Sequence, residues 1–238
     1  MAQYEGYMPY AYGAESVDTM NEIFRKVYQY MALGLILTAV TAYLTASSTT
    51  AIRMLFTSQA PLIIIALAEV GLVIFLGAAL NRLSAAAALM LFAAYSILNG
   101  ITCSVILLVY TRASIYQAFF STAGMFGAMS VYGLYTKRDL TSMGSFLRMG
   151  VWGLLIAMLI NIFIGSSVVE LTVSVLGIII FLGLTAYDTA KIKEMASTAE
   201  WSGEGITGKI AVIGALSLYL DFINIFLYML RLFGKHKD

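Results

Sequence analysis

The chain has 238 residues, of which 61% are hydrophobic and 11% charged, and its formal net charge is +1. Soluble domains run at roughly 45–50% apolar and about 25% charged, so this composition, with a mean hydropathy of +0.87, excludes a water-soluble globule and points to a polytopic membrane protein. No basic block exists to line a phosphate backbone, which excludes nucleic acid as a partner, and the single cysteine, Cys103, excludes an internal disulfide and any zinc-binding spacing.

Residues 1–24, "MAQYEGYMPYAYGAESVDTMNEIF", are polar and tyrosine-rich, and have no basic start before an apolar core. They are expected to form a disordered cytoplasmic tail, with 25–238 as a single membrane domain. A spanning helix needs about 20 mostly apolar residues. Val27–Ala46, Pro61–Leu80, Ala85–Tyr110, Ile115–Tyr135, Met149–Gly165 and Val168–Tyr187 qualify, and Ile210–Phe233 is a further apolar stretch interrupted by Asp221. Short connections predict one all-α bundle of seven transmembrane helices. Strands are disfavoured, because an open sheet cannot hide its edges in lipid. Gly124 with Gly127, and Gly177 with Gly183, predict close helix approaches, and Asn99 and Asn161 are candidates for bonds between helices.

Lysine and arginine in short loops set the orientation. With the N-terminus in the cytoplasm, the inner side holds Arg25, Lys26, Arg82, Lys137, Arg138, Arg148, Lys191, Lys193 and Lys209, and the outer side Arg53 and Arg112. Arg231, Lys235 and Lys237 fall outside if the last stretch crosses fully, and inside if it dips in and returns. The residues before Asp221 are too few to cross alone, and the sequence leaves both courses open.

Ionisable residues at membrane depth are functional candidates by default. Glu69 lies in "IALAEVGLVIF", Asp188 closes the sixth apolar segment in "GLTAYDTAKIK", Asp221 lies in "SLYLDFINIFLYML", and Arg82 follows the second segment in "NRLS". Each also has a bland reading. Arg82 can snorkel as an anchor, Asp188 can sit at an interface, and Glu69 can be a hydrogen-bonded packing residue. Asp221 is hardest to dismiss, since both its flanks are apolar. The lone histidine, His236, sits in the polar end "GKHKD" and reads as solvated. Asn224, three residues after Asp221 and on the same helix face, can orient its carboxylate.

The sixth and seventh segments are neighbours in sequence, so Asp188 and Asp221 can face each other. Two carboxylates in one apolar site cannot both ionise cheaply, and they would share a proton. Deprotonated, the pair is a site of hard oxygens suited to calcium, if carbonyls or water complete the shell.

"GLTAYDTAKIK", "SLYLDFINIFLYMLRLFG" and "STAGMFGAMSVYGLYTKRDLTSMG" resemble the Bax inhibitor family, over nearly the whole chain from about Asn21 to Gly234. The likeness is to bacterial inner-membrane members. It implies a multi-pass protein of the bacterial inner membrane whose seven-helix bundle has its C-terminal helix at the centre. It also implies a pH-sensitive calcium leak channel, with Asp188 and Asp221 as pH sensor and gate and as transient calcium ligands. Arg82 corresponds by position to an arginine that latches the closed state, and Glu69 to a membrane acidic residue of helix two. No catalytic residue and no cofactor are implied; calcium is the permeant ion, and the partners are the lipid bilayer and other membrane proteins.

Three other functions compete. An intramembrane aspartyl protease also uses two aspartates, but Asp221 follows "LYL" rather than Gly-x-Gly, and no Pro-Ala-Leu lies downstream. A proton-coupled transporter suits titratable groups at depth but not the lack of visible inverted repeats. A non-transporting regulator of a membrane-bound protease or channel would leave the tyrosine-rich start as a contact. No P-loop or dinucleotide fingerprint appears.

Overall fold

A computed structural model describes residues 9–58, 60–79, 82–199 and 204–237. They form eight helices: α1 (Pro9–Ser47), α2 (Thr49–Phe56), α3 (Ala60–Ala79), α4 (Ala85–Val109), α5 (Arg112–Tyr135), α6 (Thr141–Ile164), α7 (Ser167–Ala199) and α8 (Glu204–Phe233). Among the described residues the only β-type pairing is an isolated bridge between Tyr110 and His236. Helices satisfy every backbone group within one segment, which is what an apolar solvent demands.

Local chemistry sets the helix ends. Side chains of Ser84 and Thr111 cap α4 and α5 by accepting the amides of Ala87 and Ser114, at 3.2 and 3.3 Å. α6 stops at Gly165, whose left-handed backbone (φ 66°) suits glycine. Its amide donates to Asn161 O at 2.8 Å, and Asn161 Oδ1 accepts from Ser166 N at 3.0 Å. The Asn161 side chain thus ends a helix rather than joining two.

Six helices are long and apolar enough to cross a membrane: α1 from Asp18, α3, α4, α6, and most of α7 and α8. The expected span at 115–135 is the exception. α5 matches the others in length, but it carries Ser114, Thr122 and Ser130, all buried, which lowers its hydropathy.

Three boundaries differ from the apolar runs. α6 begins at Thr141 rather than Met149, and α7 continues past Tyr187 to Ala199, so Asp188 lies inside a helix rather than at its end. α1 begins at Pro9, well before the apolar run at Val27, and Ile23 and Phe24 are buried in the core. Packing of these two side chains holds the helix in a polar stretch. Residues 1–8 of the expected tail lie outside the described residues.

α8 packs on α1, α4, α5 and α7. In its most apolar window 61% of residues are buried, against 39% for α4 and 6% for α3. α7 likewise lies against α5, α6 and α8. Close approaches follow the glycines only in part. Gly177 receives the Tyr228 ring of α8 and Gly183 receives Leu147 of α6, whereas Gly124 and Gly127 meet no side chain.

α8 runs the length of the bundle without a break. Its start follows the end of α7, where Lys193 Nζ donates to Leu134 O near the end of α5, at 2.8 Å. The residues after α8 instead dock on the α4–α5 turn at the other end of α5: Thr111 N donates to Lys235 O at 3.0 Å, and Lys237 N to Val109 O at 2.8 Å. α8 is therefore one continuous helix that joins the two ends of the bundle. Arg231, Lys235 and Lys237 join Arg53 and Arg112 at one end of the bundle, and the other nine cations stay at the opposite end.

Candidate functional site

Asp188 of α7 and Asp221 of α8 open onto one cleft of about 330 Å³. Asp221 is 3% exposed and Asp188 is half-buried. Ser217, one turn before Asp221 and so on the same face of α8, places its hydroxyl beside Asp188. Thr185, one turn before Asp188, places its hydroxyl beside Asp221. Each carboxylate thus meets a hydroxyl of the other helix. The Oδ2 of Asp221 is buried and has no hydrogen-bond partner among the described residues.

Two threonine hydroxyls of this stretch of α7 are bonded within the helix. Thr185 Oγ1 donates to Phe181 O at 2.8 Å, and Thr189 Oγ1 to Thr185 O at 2.7 Å. The small residues of the same stretch admit neighbours: Ala186 and Thr189 lie against Gly133 of α5, and the Tyr187 ring lies against Gly144 of α6.

The cation of the site is Arg148, which the sequence assigned only to the inner loops. It lines the cleft with Trp152 on α6. Its guanidinium carbon is 5.2 Å from the centre of the Tyr187 ring, and Nη1 donates to Tyr187 OH at 3.4 Å. Arg148 and Lys191 are the cations that act on Asp188. Arg148 escaped the sequence reading because the apolar run starts at Met149, one residue after it. Ser217 and Thr185 carried a usable signal, a hydroxyl one turn from each aspartate.

Three other candidates lie elsewhere. Arg82 is exposed in the α3–α4 turn, and the described residues show no ion pair between it and Asp188, so the implied latch is not formed here. Asn224 does not orient Asp221; its Nδ2 donates to Leu220 O of its own helix at 2.8 Å. Glu69 belongs to a second polar cluster. Its Oε1 accepts from Thr102 Oγ1 at 2.6 Å, and Asn99 lies beside it. Asn99 Oδ1 accepts in turn from Tyr219 OH at 3.1 Å, and Tyr219 OH is 2.6 Å from Thr38 Oγ1. Tyr219 and Asp221 are two residues apart, about 200° around the helix, so the two clusters occupy opposite sides of α8.

Neither cluster gathers three His, Cys, Asp or Glu side chains, and no other group of described residues does. The aspartate pair offers two carboxylates and two hydroxyls, hard oxygen donors that can take a proton between them or a hard cation.

A family model described as "Inhibitor of apoptosis-promoting Bax1" matches residues 20–238. The inner membrane protein YbhL of Escherichia coli (strain K12) is 46% identical over 212 residues, covering 89% of this chain and 91% of that protein. A Borreliella burgdorferi protein is 44% identical over 218 residues, 92% of this chain and 94% of its own. A Deinococcus radiodurans protein is 42% identical over 228 residues, 94% of each.

Proposed function

The chain belongs to the Bax inhibitor family, and from that premise we propose that it is a pH-sensitive calcium leak channel of a bacterial inner membrane. The observation that carries the proposal is the meeting of Asp188 and Asp221 in one cleft between α7 and α8, with Asp221 buried. The bundle has seven spans, α5 included, with α8 as the central helix. Its nine-cation end faces the cytoplasm together with the N-terminus.

With one proton between the two carboxylates, α8 stays seated against α7. Loss of that proton sets two like charges against each other. At an effective dielectric near 20, two unit charges held roughly 4–6 Å apart repel by about 3–4 kcal/mol. That is enough to shift a closed–open equilibrium by roughly a hundredfold. The freed carboxylates, with the Ser217 and Thr185 hydroxyls, then meet calcium as the permeant ion, and water or carbonyls complete its shell. The pair serves to pass an ion, not to break a bond, and no cofactor enters.

The test is calcium release from loaded vesicles holding the purified protein, across a pH series around neutrality. Release that rises with pH and does not saturate with calcium supports a leak. Release that saturates and follows an imposed proton gradient makes the protein a coupled transporter instead.

A further inference from the structure

A second polar cavity, of about 650 Å³, lies over α7 where α5 gives way to α6. Lys137, Arg138, Lys191 and Lys193 line it, against the carboxylates of Asp139 and Glu194. Asp139 is occupied locally: its Oδ1 accepts the amide of Thr141 at 2.8 Å, and this bond holds its carboxyl below the usual carboxylate range. Lys193 is fixed by its bond to Leu134 O. The cavity therefore keeps an excess of positive charge around a space large enough for a phosphate and its substituents.

Its surroundings decide what kind of phosphate. Among the described residues α5 and α6 each pack on α7 but not on each other. The cavity thus opens over α7 at the α5–α6 turn, above the buried Leu140 and Tyr187, against which Met129 of α5 and Met143 of α6 pack. Tyr132, Tyr135 and Phe146 stand exposed on α5 and α6 beside it, aromatic side chains of the kind that mark the headgroup level. A soluble anion would need only the cations. The exposed apolar side chains of α5 and α6 that run from them, Val131 and Met149 among them, suit a molecule with a chain attached.

We propose that the cavity between the α5–α6 turn and α7 binds the phosphate of an anionic phospholipid, with its acyl chains along the exposed apolar faces of α5 and α6. Tyr187 lines this cavity, and Arg148, which lines the aspartate cleft, lies against its ring. Binding is a property of the cavity and does not depend on ion flux.

The experiment is native mass spectrometry of the full-length protein in detergent, supplied with equal phosphatidylglycerol and phosphatidylcholine. Phosphatidylglycerol should be retained preferentially. The Lys137→Gln/Arg138→Gln variant, and Lys191→Gln, should each reduce that preference at least several-fold. Arg53→Gln/Arg112→Gln, at the opposite end of the bundle, should leave it unchanged. A photoreactive phosphatidylglycerol supplies a readout independent of the variants, and its crosslinks should concentrate in peptides from α5 and α6. Equal retention of both lipids, or crosslinks spread evenly over the exposed helices, overturns the proposal. Displacement of the lipid by millimolar inorganic phosphate also overturns it, since the site would then take a free anion.

Discussion

Tyr219 clasps α8 to its neighbours, and Tyr219→Phe measures the clasp. The substitution removes the hydroxyl that meets Thr38 at 2.6 Å and Asn99 at 3.1 Å. It keeps the ring, which stands edge-on to Phe92 and Tyr95 with centroids 5.4 and 5.8 Å away. Thr38 Oγ1 retains the carbonyls of Gly34 and Ser96 at 2.9 and 3.0 Å, and Asn99 Oδ1 retains Cys103 Sγ at 3.5 Å. Neither partner is orphaned. Hydrogen bonds between membrane helices average about 0.6 kcal/mol, with a maximum near 1.7, so losing two costs about 1 kcal/mol. Tyr219→Ala also empties a fully buried site, and such truncations cost about 3–5 kcal/mol. Unfolding in mixed micelles with rising sodium dodecyl sulfate gives both values, and a double-mutant cycle with Thr38→Val should give a coupling of roughly 0.5 kcal/mol. Equal losses for Phe and Ala, or strict additivity with Thr38→Val, would refute this account of the clasp.

Gly144→Val should destabilise by about 1–3 kcal/mol in the same assay, because any Cβ there falls on the Tyr187 ring. Asn224→Ala should change stability by less than about 0.5 kcal/mol, since the amide bonds only to its own helix. Arg148→Gln should move the curve of calcium release against pH to higher pH, because a cation beside Asp188 favours its charged form. Vesicle release assays with matched protein content read that shift.

Apolar runs located the spans well because the bilayer core demands about 20 such residues whatever the fold. They located helix ends poorly, since a helix continues into polar sequence wherever packing or capping supports it. Arg148 is the consequence: hydropathy leaves it one residue before the membrane, and the helix that carries it starts at Thr141. The aspartate pair was legible from two costly charges on segments close in sequence. Its hydroxyl companions carried only a spacing signal, one turn before each aspartate, and which carboxylate each meets depends on the facing helix. Asn224 shows the limit of spacing. The i,i+3 relation puts it on the right face, but a carbonyl one turn back offers the amide a nearer partner. Arg82 was matched by position alone, and position did not fix its contacts. Whether the last stretch crosses or returns was undecidable from hydropathy. In the structure the stretch is one unbroken helix, and the residues after it dock on the α4–α5 turn.

The central claim is that the proton shared by Asp188 and Asp221 controls calcium release. The most direct measurement is release against pH for the wild type, Asp188→Asn and Asp221→Asn in identical vesicles. An amide in place of either carboxylate removes the charge pair while keeping its shape. The account predicts that wild-type release climbs with pH by tenfold or more, and that both variants give flat curves. A variant that keeps the wild-type pH response would contradict it.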